Sequence, residues 1–283
     1  MGVLFGLGAA FGWGTADLFA RFGGRRVGAY RALLYMQPVG LIMLTFYLFV
    51  IDQNLKWEWW ALGGGAVIAL MNTGAGLCLF RAMEIGTLAI VSPIASSYGA
   101  ITLSLALLVS GERPAPLQLV GLLITIGGVV LASLQPQAQK LAEKKPSRGV
   151  GLAVVAAILF GVAFWGLKYI TPVIGGPMTV WENRVIGPIF LLILARPLRQ
   201  SLEFPPRSAW IFILINGFID TLAYLSFSIG LTSADAGIVT VISSMFAAVT
   251  VLLAWIFLQE RLARIQWAGV LSILVGVALV STS

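Results

Sequence analysis

The sequence predicts an all-α integral membrane protein of ten transmembrane helices, arranged as two inverted five-helix repeats. Three observations predict it: the composition, the length of the apolar blocks, and an internal duplication. Of 283 residues, 59% are hydrophobic and only 10% charged, with a mean hydropathy of +0.97. A water-soluble domain carries about 25% charged residues, so a soluble globule is excluded. The apolar residues fall into consecutive blocks near the roughly 20 residues that a helix needs to cross about 30 Å of hydrocarbon. The strands of an outer-membrane barrel alternate apolar and polar residues, whereas these blocks are apolar all round.

Ten blocks are expected near 3–20, 28–50, 59–80, 86–109, 116–134, 149–170, 177–195, 208–230, 235–258 and 264–282. Short charged, Gly or Pro segments separate them. The first block is too long, and too closely followed by a second span, to read as a cleaved secretory signal. The longest polar stretch, 135–148, carries two prolines and reads as a linker between a first half, 1–134, and a second, 149–283.

The duplication is legible residue by residue. Residues 111–133 align without a gap to 259–281, at an offset of 148, pairing Glu112 with Glu260, Arg113 with Arg261, Gln118 with Gln266, Gly121 with Gly269 and Gly128 with Gly276. The same offset pairs Ser96 with Ser244 and Asn72-Thr73 with Asp220-Thr221. In the first helix of each half, Phe11-Gly12 is matched to Phe160-Gly161 at an offset of 149. Because each half holds five helices, an odd number, the second half must enter the membrane from the opposite side. Inverted repeats of this kind give many secondary transporters two access states, with the substrate site near the midplane between them.

Charge sets the expected orientation. Loops after odd-numbered helices carry thirteen Lys and Arg residues, against Lys56, Arg113 and Lys168 in the even loops. The positive-inside rule then places the odd loops in the cytoplasm and both termini outside the inner or plasma membrane. The net charge of +7 thus serves orientation, and no nucleic-acid partner is expected. The single cysteine, Cys78, and the absence of histidine leave no basis for a disulfide or a metal site, and no cofactor is expected. No phosphate-binding Gly-x-x-x-x-Gly-Lys-Ser/Thr loop occurs, so movement of solute would be gradient-driven or facilitative. A monomer suffices for this reading, and a dimer is compatible with it.

Few polar residues fall inside the blocks, and each has two readings. Asp220, midway along the eighth, is the first candidate for a substrate cation or a proton, because a carboxylate at that depth costs several kcal/mol unless it meets a partner or a wet cavity. The bland alternative is a carboxylate held for packing, for example by Arg184. Its repeat mate Asn72 is neutral, so the halves differ there. Tyr224 lies one turn beyond Asp220 on the same face. Trp13 and Trp165 sit beside glycines that allow close helix approach, and with Tyr35 and Tyr98 they offer either aromatic faces to a substrate or ordinary packing. Ser92, Ser96 and Ser97, and Thr240, Ser243 and Ser244, either line a polar cavity or ease packing. Glu182 is expected to turn inward while Arg184 snorkels to the interface. Arg31 reads as an anchor, and Asp17, Glu84, Lys168 and Asp235 as solvated or capping groups near helix ends. The Glu112-Arg113 and Glu260-Arg261 pairs are expected to order short loops.

Taken in order, Pro93, Gly111-Glu112-Arg113, Gln259-Glu260-Arg261, Arg31 and Arg184 resemble the landmarks of the EamA-type transporters of the drug/metabolite transporter superfamily. The resemblance spans essentially the whole chain. It implies a basket in which helices one to four and six to nine line a central cavity, with five and ten at the periphery. It also implies transport of amino acids, amines or related metabolites, often as efflux, and cytoplasmic termini, against the charge bias. Val241 stands where the first half has Pro93, so proline provides a kink in one half only. Competing readings are a flippase for a lipid or lipid carrier and, far below, an intramembrane enzyme, which would lack His, a metal cluster or a paired-carboxylate motif.

Overall fold

The structure, a computed structural model, describes residues 2–51, 57–109, 115–133, 149–232, 239, 243 and 245–280. Among them every regular element is helical. The first half contributes α1 (Gly2–Val27), α2 (Ala29–Ile51), α3 (Trp59–Ile85), α4 (Leu88–Ser96), α5 (Tyr98–Leu108) and α6 (Pro116–Ser133). The second contributes α7 (Val150–Ile174), α8 (Gly176–Ala195), α9 (Arg207–Leu231), α10 (Phe246–Leu258) and α11 (Arg264–Val280). By length and composition, α2, α3, α7, α8 and α9 are each able to cross a bilayer, and four shorter apolar helices accompany them. Large apolar side chains such as Phe46, Phe49, Leu123, Ile193 and Leu271 are exposed on the outer surface, where lipid is their solvent. Trp57, Trp59 and Trp60 are exposed at the start of α3, the position of an interfacial aromatic belt.

The helices pack as two halves related by an exchange. α1 lies on α9 as α7 lies on α3; α1 lies on α10 as α7 lies on α5; α2 lies on α9 as α8 lies on α3. The most extensive contact, α6 on α11, joins repeat mates to each other and reveals their direction. A methyl group on Gly128 would sit 2.7 Å from the backbone N of Ile273 and 2.9 Å from the carbonyl of Gly269. One on Gly276 would sit 2.6 Å from the N of Thr125 and 2.8 Å from the carbonyl of Gly121. Each contact becomes the other at the offset of 148. As numbers rise along α6, the facing numbers fall along α11, so the mates are antiparallel and the repeats inverted. Glycine is required there because backbone touches backbone, the close approach that holds helices together where lipid supplies no hydrophobic contrast.

The structure corrects the sequence reading in three places. First, the register of the opening helices is 147, not 149. Gly14 packs against Val249 and the Phe246 carbonyl, and Gly161 packs against Ile101 and the Tyr98 carbonyl, which are repeat mates at 148. Gly14 therefore answers Gly161, and Asp17 answers Phe164. Second, the block at 86–109 is not one helix. It breaks at Ser97, where Ser96 and Ser97 donate their hydroxyls to the carbonyls of Pro93 (2.8 Å) and Ile94 (2.6 Å). The second half turns at the mate of Ser97, Met245, with nearly the same backbone angles (φ −76°, ψ 2° against φ −66°, ψ 0°). A helix thus starts at equivalent positions in both halves, Tyr98 and Phe246. Third, α1 runs to Val27 rather than ending near 20.

Candidate functional site

The first residues of α5 and α10, Tyr98 and Phe246, are buried in the interior of the molecule. These repeat mates stack with ring centroids 6.4 Å apart and planes 13° from parallel. Beside them lies a cavity of about 100 Å³, room for several water molecules. One wall is aromatic: Trp13, Tyr98, Phe160, Phe164, Tyr224 and Phe246, with Tyr98 and Phe164 only 4.7 Å apart. Part of the lining is polar: Gln37 from α2, Asn72 and Thr73 from α3, Asn183 and Arg184 from α8, and Asn216 and Asp220 from α9.

Arg184 organises the polar wall. Its Nη2 donates to Asp220 Oδ2 at 2.5 Å and its Nη1 to Gln37 Oε1 at 2.7 Å. The guanidinium is almost fully enclosed, whereas 24% of the Asp220 side chain is exposed, so the carboxylate is the approachable member. Several buried polar atoms on the cavity have no hydrogen-bond partner: both amide atoms of Asn183, the hydroxyls of Thr73 and Tyr98, and Arg184 Nε. Buried polar groups are ordinarily satisfied, and a cluster of unsatisfied ones around a cavity is what a polar solute or water would complete.

A third charged group reaches the cavity from α1. Asp17 is 7% exposed, and its Oδ2 accepts hydrogen bonds from Ser92 Oγ (2.6 Å) and Thr250 Oγ1 (2.8 Å). It was expected near a helix end; because α1 continues to Val27, it lies well inside. One turn on, Arg21 points away from the cavity. It pairs with Glu260 at 2.8 Å and donates to the carbonyls of Met83 and Gly86. Glu260 in turn accepts from the backbone N–H groups of Leu88 (3.1 Å) and Ala89 (2.8 Å), closing the first turn of α4. A carboxylate there meets the positive end of the helix.

Of the residues singled out from sequence, Asp220, Asn72, Tyr224, Trp13 and Tyr98 lie on the cavity wall. Three are placed elsewhere. Trp165 packs edge-on against Tyr169. Ser96 is committed to the Pro93 carbonyl. Glu182 does turn inward, but toward α3, where its Oε2 lies against Gly65. Residues two positions apart on a helix differ in direction by about 200°, which is why Glu182 and Arg184 face different neighbours. Arg184 does not snorkel: it enters the cavity because Asp220 stands opposite. Arg31 anchors locally, donating to the Val27 carbonyl at 2.6 Å and pairing with Glu203 at 3.7 Å, and Arg261 is exposed. Ser244, Glu112, Arg113, Thr240, Asp235 and the linker 135–148 lie outside the described residues. Sequence reasoning missed Asp17, Gln37, Asn183 and Asn216. The signal was available for Gln37 and Asn216, each with no charged neighbour in an apolar block, whereas Asn183 was overshadowed by Glu182 and Arg184 beside it.

No curated protein matches the chain. A solved crystal structure of a protein superposes with a TM-score of 0.72, covering 99% of this chain and 96% of its own at 16% identity, which establishes a shared fold. The model of the EamA-like transporter family matches twice, at residues 1–134 and 147–282. The protein is therefore a multi-pass membrane transporter of the drug/metabolite transporter type, and the chain belongs to the EamA-like transporter family.

Proposed function

We propose that the protein is a secondary transporter that carries a small zwitterionic or cationic metabolite, an amino acid or an amine, outward through the central cavity by alternating access. The Arg184–Asp220 pair carries this reading. A solute with a carboxylate and an ammonium group can exchange its charges onto the two members, so neither is left unpaired as the solute enters. A bare amine would use the exposed side of Asp220 alone. Asn183 and Thr73 supply hydrogen bonds to the polar end, and Trp13 and its aromatic neighbours accept an apolar or cationic portion. The inverted halves, 1–134 and 149–283 joined by 135–148, supply two exchangeable states. The outward direction rests on the family resemblance, and the cytoplasmic placement of the odd loops on charge bias. Protons are the proposed coupling ion, since the sequence holds no phosphate-binding loop of the Walker type.

Proteoliposomes loaded with a mixture of labelled L-amino acids test the reading. Purified protein should move label down its gradient, and Asp220→Asn should abolish that movement. Unchanged flux in Asp220→Asn would remove the site assignment, and flipping of fluorescent lipid without solute flux would replace the reading with a lipid one.

A further inference from the structure

Asp220 is the acidic residue that the sequence brings forward, but its charge is already matched by Arg184. Asp17 is not matched. Among the described residues no Lys or Arg is in ion-pair contact with it, Arg21 being engaged by Glu260. Its neighbours are the two hydroxyls of Ser92 and Thr250. We infer that Asp17 is the proton-carrying group of the transport cycle, loading and releasing the coupling proton while the Arg184–Asp220 pair handles the solute. This deepens the proposed function and rests on it.

Three observations carry the inference. The first is the hydrogen-bond geometry. A hydroxyl has one proton and can also accept. Thr250 Oγ1 has three acceptors in reach: Asp17 Oδ2 at 2.8 Å, the Phe246 carbonyl at 3.2 Å and the Gly14 carbonyl at 3.4 Å. When Asp17 is ionised, the Thr250 hydrogen points to the carboxylate. When a hydronium in the cavity breaks one O–H bond and gives that proton to Oδ2, leaving water, the Thr250 hydrogen turns to a carbonyl and the hydroxyl oxygen accepts the new O–H. Within the protein, both protonation states are satisfied by one bond rotation.

The second observation is asymmetry. Thr102, the mate of Thr250, donates to the matching carbonyls of Tyr98 (3.1 Å) and Gly161 (3.0 Å). Among the described residues no carboxylate bonds to it, and Phe164 occupies the place of Asp17. The threonine hydroxyl and its two carbonyls are thus present in both halves, and the acid stands beside one of them. The third observation is position. Asp17 joins α1 and α4 of the first half to α10 of the second, so its charge state acts across the boundary along which the halves must move. The other ionisable groups lining the cavity are Arg184, Asp220 and Tyr224 on α8 and α9 and Tyr98 on α5; the residues that α2, α3, α4, α7 and α10 contribute carry none.

The test uses the full-length protein in proteoliposomes with a mixture of labelled L-amino acids as probe. A gradient of one pH unit carries about 1.4 kcal/mol per proton, so one proton per solute drives roughly tenfold accumulation. The wild-type protein should approach that ratio, and its solute exchange at matched pH should vary with pH. In Asp17→Asn, accumulation should fall to equality across the membrane, and whatever exchange survives should be flat with pH. Gradient-driven accumulation that persists in Asp17→Asn overturns the inference. A wild-type protein that moves none of the probes overturns the transporter reading instead. If Asp17→Asn moves no solute, infrared difference spectra decide. A carboxylic-acid band that grows on acidification of the wild type and is missing from the variant supports the assignment; the same band in both overturns it.

Discussion

Adjacent glycines in α6 provide a direct test of the inverted architecture. A methyl group added at Gly128 meets the backbone N of Ile273 at 2.7 Å, whereas one added at Gly127 meets nothing within 4 Å. Restoring an ordinary contact of 3.4 Å at Gly128 requires α6 and α11 to part by roughly 0.7 Å, a gap that forfeits a quarter to a half of the dispersion energy at the atoms affected. Overpacking of this kind costs about 1–3 kcal/mol. Each Gly→Ala change also gains roughly 0.5–1 kcal/mol of helix propensity, but that gain is common to both variants. Their difference therefore isolates the clash. Gly128→Ala should unfold below Gly127→Ala by several degrees, since 1 kcal/mol moves the midpoint by about 2–4 °C in a chain of this order of length. Thermal unfolding in one detergent, followed by fluorescence-detected size exclusion, measures the difference. Equal midpoints would refute the antiparallel α6–α11 contact and, with it, the axis relating the halves.

Other predictions concern the charged groups. Arg184→Lys should lower solute flux by about tenfold or more while the protein still elutes as a single species, because an ammonium cannot reproduce a fork that spans Asp220 and Gln37; flux within twofold of wild type would show that the fork is dispensable. Glu260→Gln removes the charge that compensates the buried Arg21 and should cost about 3 kcal/mol of stability, seen as a lower unfolding temperature, and no measurable change would contradict the placement of that pair. For orientation, a cysteine introduced at 135–148 in a Cys78→Ser background should be shielded from an impermeant thiol reagent in intact cells, and ready labelling would reverse the topology.

Much of the site was legible as a list of polar residues in apolar surroundings, and much less as an arrangement. Asp220 stands out in sequence because a carboxylate in the middle of a long apolar block is costly unless it meets a partner or a wet cavity. Asp17 did not, because the apolar block containing it was read as ending near 20. Arg21, Arg25 and Arg26 look like the end of a span, yet Arg21 is neutralised by Glu260, from the far end of the chain, and by two carbonyls, so the helix continues. Arg184 has two readings in sequence, an interfacial group and a partner for Asp220, and only the fold chooses the second, because the two residues are 36 positions apart on different helices.

The sequence alone determined the apolar blocks to within several residues, the duplication and the inversion, because span length, composition and an odd helix count are local or arithmetic properties of the chain. Tertiary structure decided which face of each helix meets the cavity, the two-residue shift of register between α1 and α7, and the turn at Met245 from which α10 starts. The physical reason is common to all three. A helix that is apolar all round carries no hydrophobic contrast between its faces in lipid, so its rotation is set by glycine contacts and buried hydrogen bonds to other helices, and those partners are identified only once the chain is folded.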